Sequence, residues 1–334
     1  MRILVLGGTA WLGGQVARTA HAAGHHVTCL ARGQAGSAPD GVAFVAADRD
    51  RDDALEPLFD NRWDLTVDVS RHPGHVRRAV AALADRCMHF VFVSTGNVYA
   101  DHSTPGADEA AELLPRLDAD LMESMETYGE AKVACEQFVL DAFGADRTLI
   151  ARSGLIGGPG DWSGRTGYYP LRCGRPSVDD GRVLVPDTPD LPTQVIDVRD
   201  LAAWLVDAGL ARTSGIFNAG GDTVPLGDHL GAAREVARHQ GELAPAPEEW
   251  LLAHEVEPWM GARSLPMWLP RPDYAGFSAR DSSASRAAGL QPRPLAETLA
   301  DTLAWELAQT SERPHATGLT ANDERALLAE LSGR

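Results

Sequence analysis

The sequence predicts an α/β protein built on a doubly wound parallel sheet with a smaller C-terminal lobe. Three observations support this. Short apolar runs alternate with helix-periodic stretches over the first 150 residues. A glycine-rich turn joins the first apolar run to the first helical stretch. Beyond about residue 152, Gly and Pro become frequent and six of the eight tryptophans appear, which marks a second lobe laid over the first.

Residues 3–6, 26–30, 42–45, 65–69, 90–94 and 148–151 are strand-sized apolar runs, and 11–23, 75–84 and 127–143 carry helical spacing. Strands alternating with helices form a parallel sheet buried on both faces, with its active crevice at the carboxyl ends of the strands. Residues 1–152 are expected to form a nucleotide-binding core and 153–334 mainly a substrate lobe, with about 193–220 returning to the core. Further helices are expected at 198–210, 226–238, 295–307 and 322–331, and Ala244-Pro245-Ala246-Pro247 reads as a surface linker.

Composition narrows the function. The 334 residues are 44% hydrophobic, enough for a full core, and carry a net charge of −17. Such a charge repels phosphate backbones and argues against a nucleic-acid partner. No apolar run approaches membrane-span length, and Met1-Arg2 leads straight into the first strand, so no signal peptide is expected. Cys29, Cys87, Cys135 and Cys173 are scattered, which suits reduced core residues of a cytoplasmic protein. The histidines are not grouped at metal spacing, and no metal is expected.

The first run leads into Gly7-Gly8-Thr9-Ala10-Trp11-Leu12-Gly13-Gly14 and then a helix. Gly7 permits a tight turn and Gly13 a close helix–strand approach, so the helix N-terminus can offer backbone N–H groups and its positive dipole end to a pyrophosphate. Gly7, Thr9, Ala10, Trp11, Leu12 and Gly13 are the expected cofactor-binding residues of this Rossmann-type turn. The second run ends at Ala31-Arg32-Gly33. An acid there would bond the ribose hydroxyls and repel a 2′-phosphate; Ala31 occupies its place, and the Arg32 guanidinium can clamp a phosphate with two bonds. NADP is the expected cofactor, with NAD as the alternative.

Thr127-Tyr128-Gly129-Glu130-Ala131-Lys132 opens a helical stretch and contains the only lysine of the chain. Residues four apart share a helix face, so the ammonium lies near the phenol. A free tyrosine ionises near pH 10, and a neighbouring cation favours the phenolate that acid–base work requires. Lys132 can also bind the nicotinamide ribose.

These segments resemble the extended, atypical short-chain dehydrogenase/reductases of the NAD-dependent epimerase/dehydratase superfamily. The turn is similar to that group's Gly-Gly-Thr-x-Phe-Leu-Gly version, and Ala10 stands where most members have glycine. Arg152, Gly157-Gly158-Pro159-Gly160-Asp161 and Gln194-Val195-Ile196-Asp197-Val198-Arg199-Asp200 continue the likeness. The resemblance implies that Tyr128 transfers the proton with Lys132, and that Thr95, with Ser94 as fallback, holds the substrate oxygen. It also implies that Asp48 touches the adenine and that Ser70 lines the cofactor site. Asn97, Trp162, Tyr168 and Gln194 are the substrate-side candidates, with Tyr169, Trp259 and Trp268 as further pocket aromatics. Tyr99 reads as structural. The helices at 75–84 and 127–143 correspond to those that pair relatives into homodimers.

Two departures bear on substrate. The asparagine and arginine that clamp the diphosphate in the sugar-nucleotide epimerases fall on Leu155 and Thr193, leaving Arg165, Arg172, Arg175 and Arg271 as substitutes. The Asp-Glu pair of the dehydratases is replaced by Gly96-Asn97. The expected activity is hydride transfer between NADP and a carbonyl or alcohol of a small metabolite, in specialised metabolism. A nucleotide-sugar epimerase, and an RNA-binding or regulatory protein on the same fold, are the alternatives.

Overall fold

The computed structural model describes residues 1–309 and 316–333. Its centre is a seven-stranded parallel sheet of β1 (Arg2–Leu6), β2 (His26–Ala31), β3 (Ala43–Ala46), β4 (Trp63–Asp68), β5 (Cys87–Thr95), β6 (Thr148–Ser153) and, from the second half of the chain, β10 (Gly215–Ala219). The order is β10-β6-β5-β4-β1-β2-β3. The winding reverses between β1 and β4, which pair at Ile3 with Leu65, and the crevice of a doubly wound sheet opens at such a reversal.

Alternation along each strand fills two cores. Ile3 and Val5 of β1 join Val67, Val91 and Leu149 beneath α1 (Trp11–Ala22) and α5 (Val198–Leu210). Leu4 and Leu6 join Phe90, Phe92 and Ile150 beneath α2 (Pro73–Leu83) and α3 (Tyr128–Phe143). Each such side chain fully withdrawn from water contributes about 1.5–3 kcal/mol, which locks the strand register and so fixes where every strand tip ends.

Most of the described residues after β6, apart from α5 and β10, form the lobe. β7 (Leu155–Gly157), β9 (Pro192–Asp197) and β11 (Thr223–Pro225) make a small sheet ordered β11-β9-β7, and β8 (Val183–Pro186) pairs with β12 (Leu243–Ala246). Around them pack α4 (Tyr168–Gly174), α6 (Leu226–Val236), α7 (Glu248–Ala253), α8 (Leu295–Ala308) and α9 (Ala321–Ser332). The hydrophobic centre of the lobe holds Tyr168, Tyr169, Trp250, Trp268 and Leu299. Asp197, which caps α5, is enclosed between Arg199 (2.7 Å) and Thr298 (2.9 Å) and ties the lobe to the core.

One expectation is overturned. The 244–247 block is no linker, because its first three residues belong to β12, in parallel register with β8. Ala244 and Ala246 are buried while Pro245 and Pro247 face outward. The Ala-Pro alternation has the strand period, and a two-stranded ribbon leaves an open edge where a residue without N–H is tolerated.

Candidate active site

At the carboxyl end of β1 the chain turns on Gly7, whose φ is +89°, a value that favours glycine. Its N–H donates to the Leu30 carbonyl (2.9 Å), and the Ala10 N–H donates back to the Gly7 carbonyl (3.1 Å). A methyl group on Gly13 would stand 2.3 Å from the Gly7 oxygen, so the helix reaches the turn only because that position is bare. Ala10 is the N-cap of α1, and no side chain caps the first-turn N–H groups. Uncapped donors at a helix start are an anion site, and this cradle fits the pyrophosphate of a dinucleotide. Thr9 is buried behind the turn, while Leu12 packs against the core on the α1 side. Trp11 arches sideways, its indole N–H donating to Pro159 O (2.9 Å), and walls the cradle on the lobe side.

At the tip of β2, Arg32 is exposed and forms no ion pair among the described residues. It lies near enough to act electrostatically on Asp50. The hydrogen bond from His75 (2.7 Å) holds the Asp50 carboxyl below the usual carboxylate range, and burial lowers His75 itself. Asp48 is less free than expected, because its Oδ1 accepts the Asp50 N–H (3.2 Å) and closes the loop after β3. The Ser70 side chain is engaged away from the crevice. Its hydroxyl donates to the buried Asp68, and Arg49 bonds both residues, pairing with Asp68 at 3.2 Å. What Ser70 offers the site is its backbone carbonyl.

That carbonyl holds Lys132. The Lys132 Nζ donates to Ser70 O and to Val93 O, both at 2.6 Å, and lies 4.6 Å from the centre of the Phe92 ring. The residue is only 3% exposed, and no carboxylate pairs with it among the described residues. An ammonium has three donors, so two are fixed on strand tips and one stays uncommitted. Tyr128, half-buried, opens α3 one turn earlier. The start of α3 is seated on the turn after β5, where a methyl on Gly129 would meet Asn97 O at 2.3 Å. Thr95 shapes that turn, accepting the Asn97 N–H (3.2 Å) and donating to Asn97 Oδ1 (3.0 Å). Tyr128, Thr95, Asn97 and Lys132 therefore gather at the carboxyl ends of β4 and β5.

Ser94 is drawn away from this group. Its hydroxyl donates to Glu136 in the interior, Glu136 pairs with Arg152 (2.8 Å), and Arg152 bonds the Tyr99 hydroxyl (3.2 Å), which donates to Asn218 (2.6 Å). Consecutive strand residues point to opposite faces, so with Thr95 at the crevice Ser94 faces α3. It is corrected from substrate ligand to core network, and Tyr99 is structural in the same network.

Tyr168 is corrected as well. It lies in the centre of the lobe, against Gly318 and beneath Arg172, which pairs with the buried Glu324 (3.0 Å). Tyr169 and Trp268 are lobe core too. Trp162 projects to solvent, 64% exposed. Gln194 is buried, its amide donating to Thr223 (3.1 Å) and Arg280 O (3.0 Å). Leu155 is buried in β7, and the Thr193 hydroxyl donates to Val224 O (3.1 Å), so neither serves as a phosphate clamp. Of the substitute arginines, Arg172 is occupied in the lobe, and Arg175 and Arg271 are exposed. Arg165 lies within electrostatic reach of Tyr128. Sequence reasoning missed the Arg49–Asp68 pair. The signal was Asp68 at the end of an apolar run, since an enclosed carboxylate needs a partner.

A model of the NAD dependent epimerase/dehydratase family matches residues 3–172. The chain is 28% identical over 160 residues to the 2′-dehydrokanamycin reductase of Streptomyces kanamyceticus, a stretch covering 47% of this chain and 43% of that protein. The chain superposes on the UDP-N-acetylglucosamine 4-epimerase of Bacillus cereus with a TM-score of 0.67, 17% identity, and 94% and 99% of the two chains covered. The NAD complex of the Thermus thermophilus UDP-glucose 4-epimerase gives 0.63, 20%, 93% and 100%. At these identities the structural likeness speaks to the Rossmann-like fold.

Proposed function

The chain belongs to the NAD dependent epimerase/dehydratase family, and within it we propose an NADP-dependent reductase that exchanges a hydride with the carbonyl or alcohol carbon of a small metabolite. The observation that carries this reading is Lys132, an enclosed ammonium held by two strand-tip carbonyls at 2.6 Å with one donor left over. Burying an ion with no carboxylate partner among the described residues is unfavourable. The two carbonyls and the Phe92 ring offset part of that cost, and a cation kept one helical turn from Tyr128 suits a proton-transfer site, where it favours the phenolate.

A nicotinamide held in the crevice by the glycine turn and Lys132 would supply or take up the hydride. Tyr128 donates its phenolic proton to the substrate oxygen in reduction and recovers it in oxidation. Lys132, one turn along the same helix, brings positive charge to the face of α3 that carries the phenol and favours that transfer, and its remaining donor would be available to hold a ribose hydroxyl of the cofactor. Thr95 has one O–H, held by Asn97 Oδ1 at 3.0 Å, and turning it from that amide to the substrate oxygen would polarise the carbonyl. The Gly7–Gly13 turn and the bare first turn of α1 hold the pyrophosphate. Arg32, exposed at the tip of β2 with no ion pair among the described residues, supports NADP because it can engage the 2′-phosphate.

A 4-epimerase is the second reading, favoured by the names of the structural relatives and opposed by Leu155 and Thr193 at the diphosphate positions. The test is direct. NADPH and NADH affinities are measured for the wild type and Arg32→Ala, and turnover of a carbonyl panel is followed at 340 nm for the wild type and Tyr128→Phe. Tighter NADPH binding that Arg32→Ala abolishes, with turnover falling about 10²-fold or more in Tyr128→Phe, is the expected result. Equal cofactor affinities, or full activity in Tyr128→Phe, would overturn it. Sedimentation reads whether two chains pair, as the homodimer expected through α2 and α3 requires.

A further inference from the structure

Arg165 has no role in the scheme above, yet it lies within electrostatic reach of that scheme's proton donor, Tyr128. It lies in the loop between β7 and α4, which Asp161 organises: one Asp161 oxygen accepts from the N–H and hydroxyl of Ser163, the other from those of Thr166. The Arg165 Nε donates to the Ser163 hydroxyl (3.1 Å), and its guanidinium lies 5.1 Å from the centre of the Trp259 indole. Trp259 is itself held at φ +68°, a left-handed conformation that disfavours a bulky side chain by about 1–2 kcal/mol. Phe277 packs against its ring at 5.3 Å and 82°, which keeps the indole in place.

A guanidinium stacked on an aromatic face keeps its in-plane N–H groups free. With Nε on Ser163, the two Nη nitrogens remain, and they form no hydrogen bond or ion pair among the described residues. Burial holds the Arg165 guanidinium below its usual value, and the charges of Asp161 and Tyr128 act on it. The loop that carries Arg165 is seated on Trp11 through Pro159 O (2.9 Å) at the edge of the crevice, and a forked, preorganised cation there with no ion pair among the described residues is the arrangement that takes a carboxylate. Arg172 is ion-paired in the lobe and Leu155 and Thr193 are not clamps, so the charge present suits one monoanion better than a diphosphate.

We propose that Arg165 is the substrate's anion anchor, and that the substrate is a carboxylate-bearing oxo or hydroxy compound whose acid group lies close to the carbon that exchanges the hydride. The inference rests on the reductase reading and names its substrate class. An amine-bearing compound is disfavoured by the same charge.

Two experiments test it. In the first, NADP-loaded protein is titrated calorimetrically with benzoate, benzamide and benzylamine, as the wild type, Arg165→Gln and Arg165→Lys. A charge-assisted bidentate contact gives roughly tenfold to a hundredfold, so benzoate should bind at least tenfold tighter than benzamide, and benzylamine weakest. The preference should vanish in Arg165→Gln and return in part in Arg165→Lys. In the second, 2-oxo acids are compared with their primary amides by the ratio of kcat/KM. The acid should lead by a similar factor, through KM, and the ratio should collapse to near one in Arg165→Gln. A merely structural arginine would lower both numbers and leave the ratio. Equal benzoate and benzamide binding by the wild type, or a preference that survives Arg165→Gln, overturns the proposal, and the wild-type comparison needs no variant to fold. The outcomes separate the two readings. Neutral carbonyls reduced without an acid preference would sink the anchor and leave the reductase. Benzoate selectivity with no carbonyl turnover would sink the reductase and leave the anion site.

Discussion

Replacing Lys132 by Met separates clamp from catalyst. Methionine keeps an unbranched stem against Phe92 and removes the ammonium. Two hydrogen bonds of 2.6 Å disappear, each worth about 1.5–3 kcal/mol because one partner is charged, or about 3–6 kcal/mol together. Against this, the variant no longer buries an ion without a carboxylate, a relief of several kcal/mol, and the Met sulfur gains an aromatic neighbour. The difference is a net loss of about 1–3 kcal/mol, read as a lower urea midpoint. Catalysis should suffer far more. Without the cation beside Tyr128, single-turnover NADPH oxidation should slow by about 10²–10⁴, measured far below the unfolding midpoint so that only folded protein reports. If Lys132→Met loses stability but turns over within tenfold of the wild type, Lys132 is a strand clamp and the catalytic reasoning fails.

Two further predictions follow from close contacts and from burial. Gly13→Ala gains up to about 1 kcal/mol of helix preference, but its methyl meets the Gly7 carbonyl at 2.3 Å and the backbone cannot yield. A net loss of about 1–3 kcal/mol and at least a tenfold drop in NADPH affinity are expected, and wild-type affinity in this variant would dismiss the pyrophosphate cradle. The second concerns His229, fully enclosed beside Thr193, where burial pushes its ring down to about 4 from an ordinary 6.5. Between those values the unfolded chain binds a proton that the native state refuses. His229's contribution to stability is therefore intact above pH 6.5 and declines by about 1.4 kcal/mol per unit as pH falls toward 4. Urea midpoints of wild type and His229→Gln across pH 7.5 to 4.5 isolate this slope, and parallel curves would contradict it.

Much of the fold was legible because its signals are local. The sheet and its crossovers follow from runs whose period is set within one strand or one helical turn. Tyr128 and Lys132 could be paired on paper because four residues along a helix bring two side chains to one face. The same local reading failed at Tyr168, where an aromatic at a helix start after a Gly-rich loop has the same sequence signature in a pocket as in a lobe core. It failed at Ser94 for another reason. The hydroxyl's orientation depends on strand pleat, but its partner Glu136 lies 42 residues away.

What the sequence determined by itself was the strand–helix alternation, the bare glycine turn and the spacing of the proton-transfer pair, each held by bonds among near neighbours. Only the tertiary structure decided which groups face them. It set Lys132 on the carbonyls of two separate strand tips, drew Ser70 into the Arg49–Asp68 pair, and stacked Arg165 on Trp259. Those contacts join residues tens of positions apart, and their geometry is fixed by the packing of whole layers rather than by any local period.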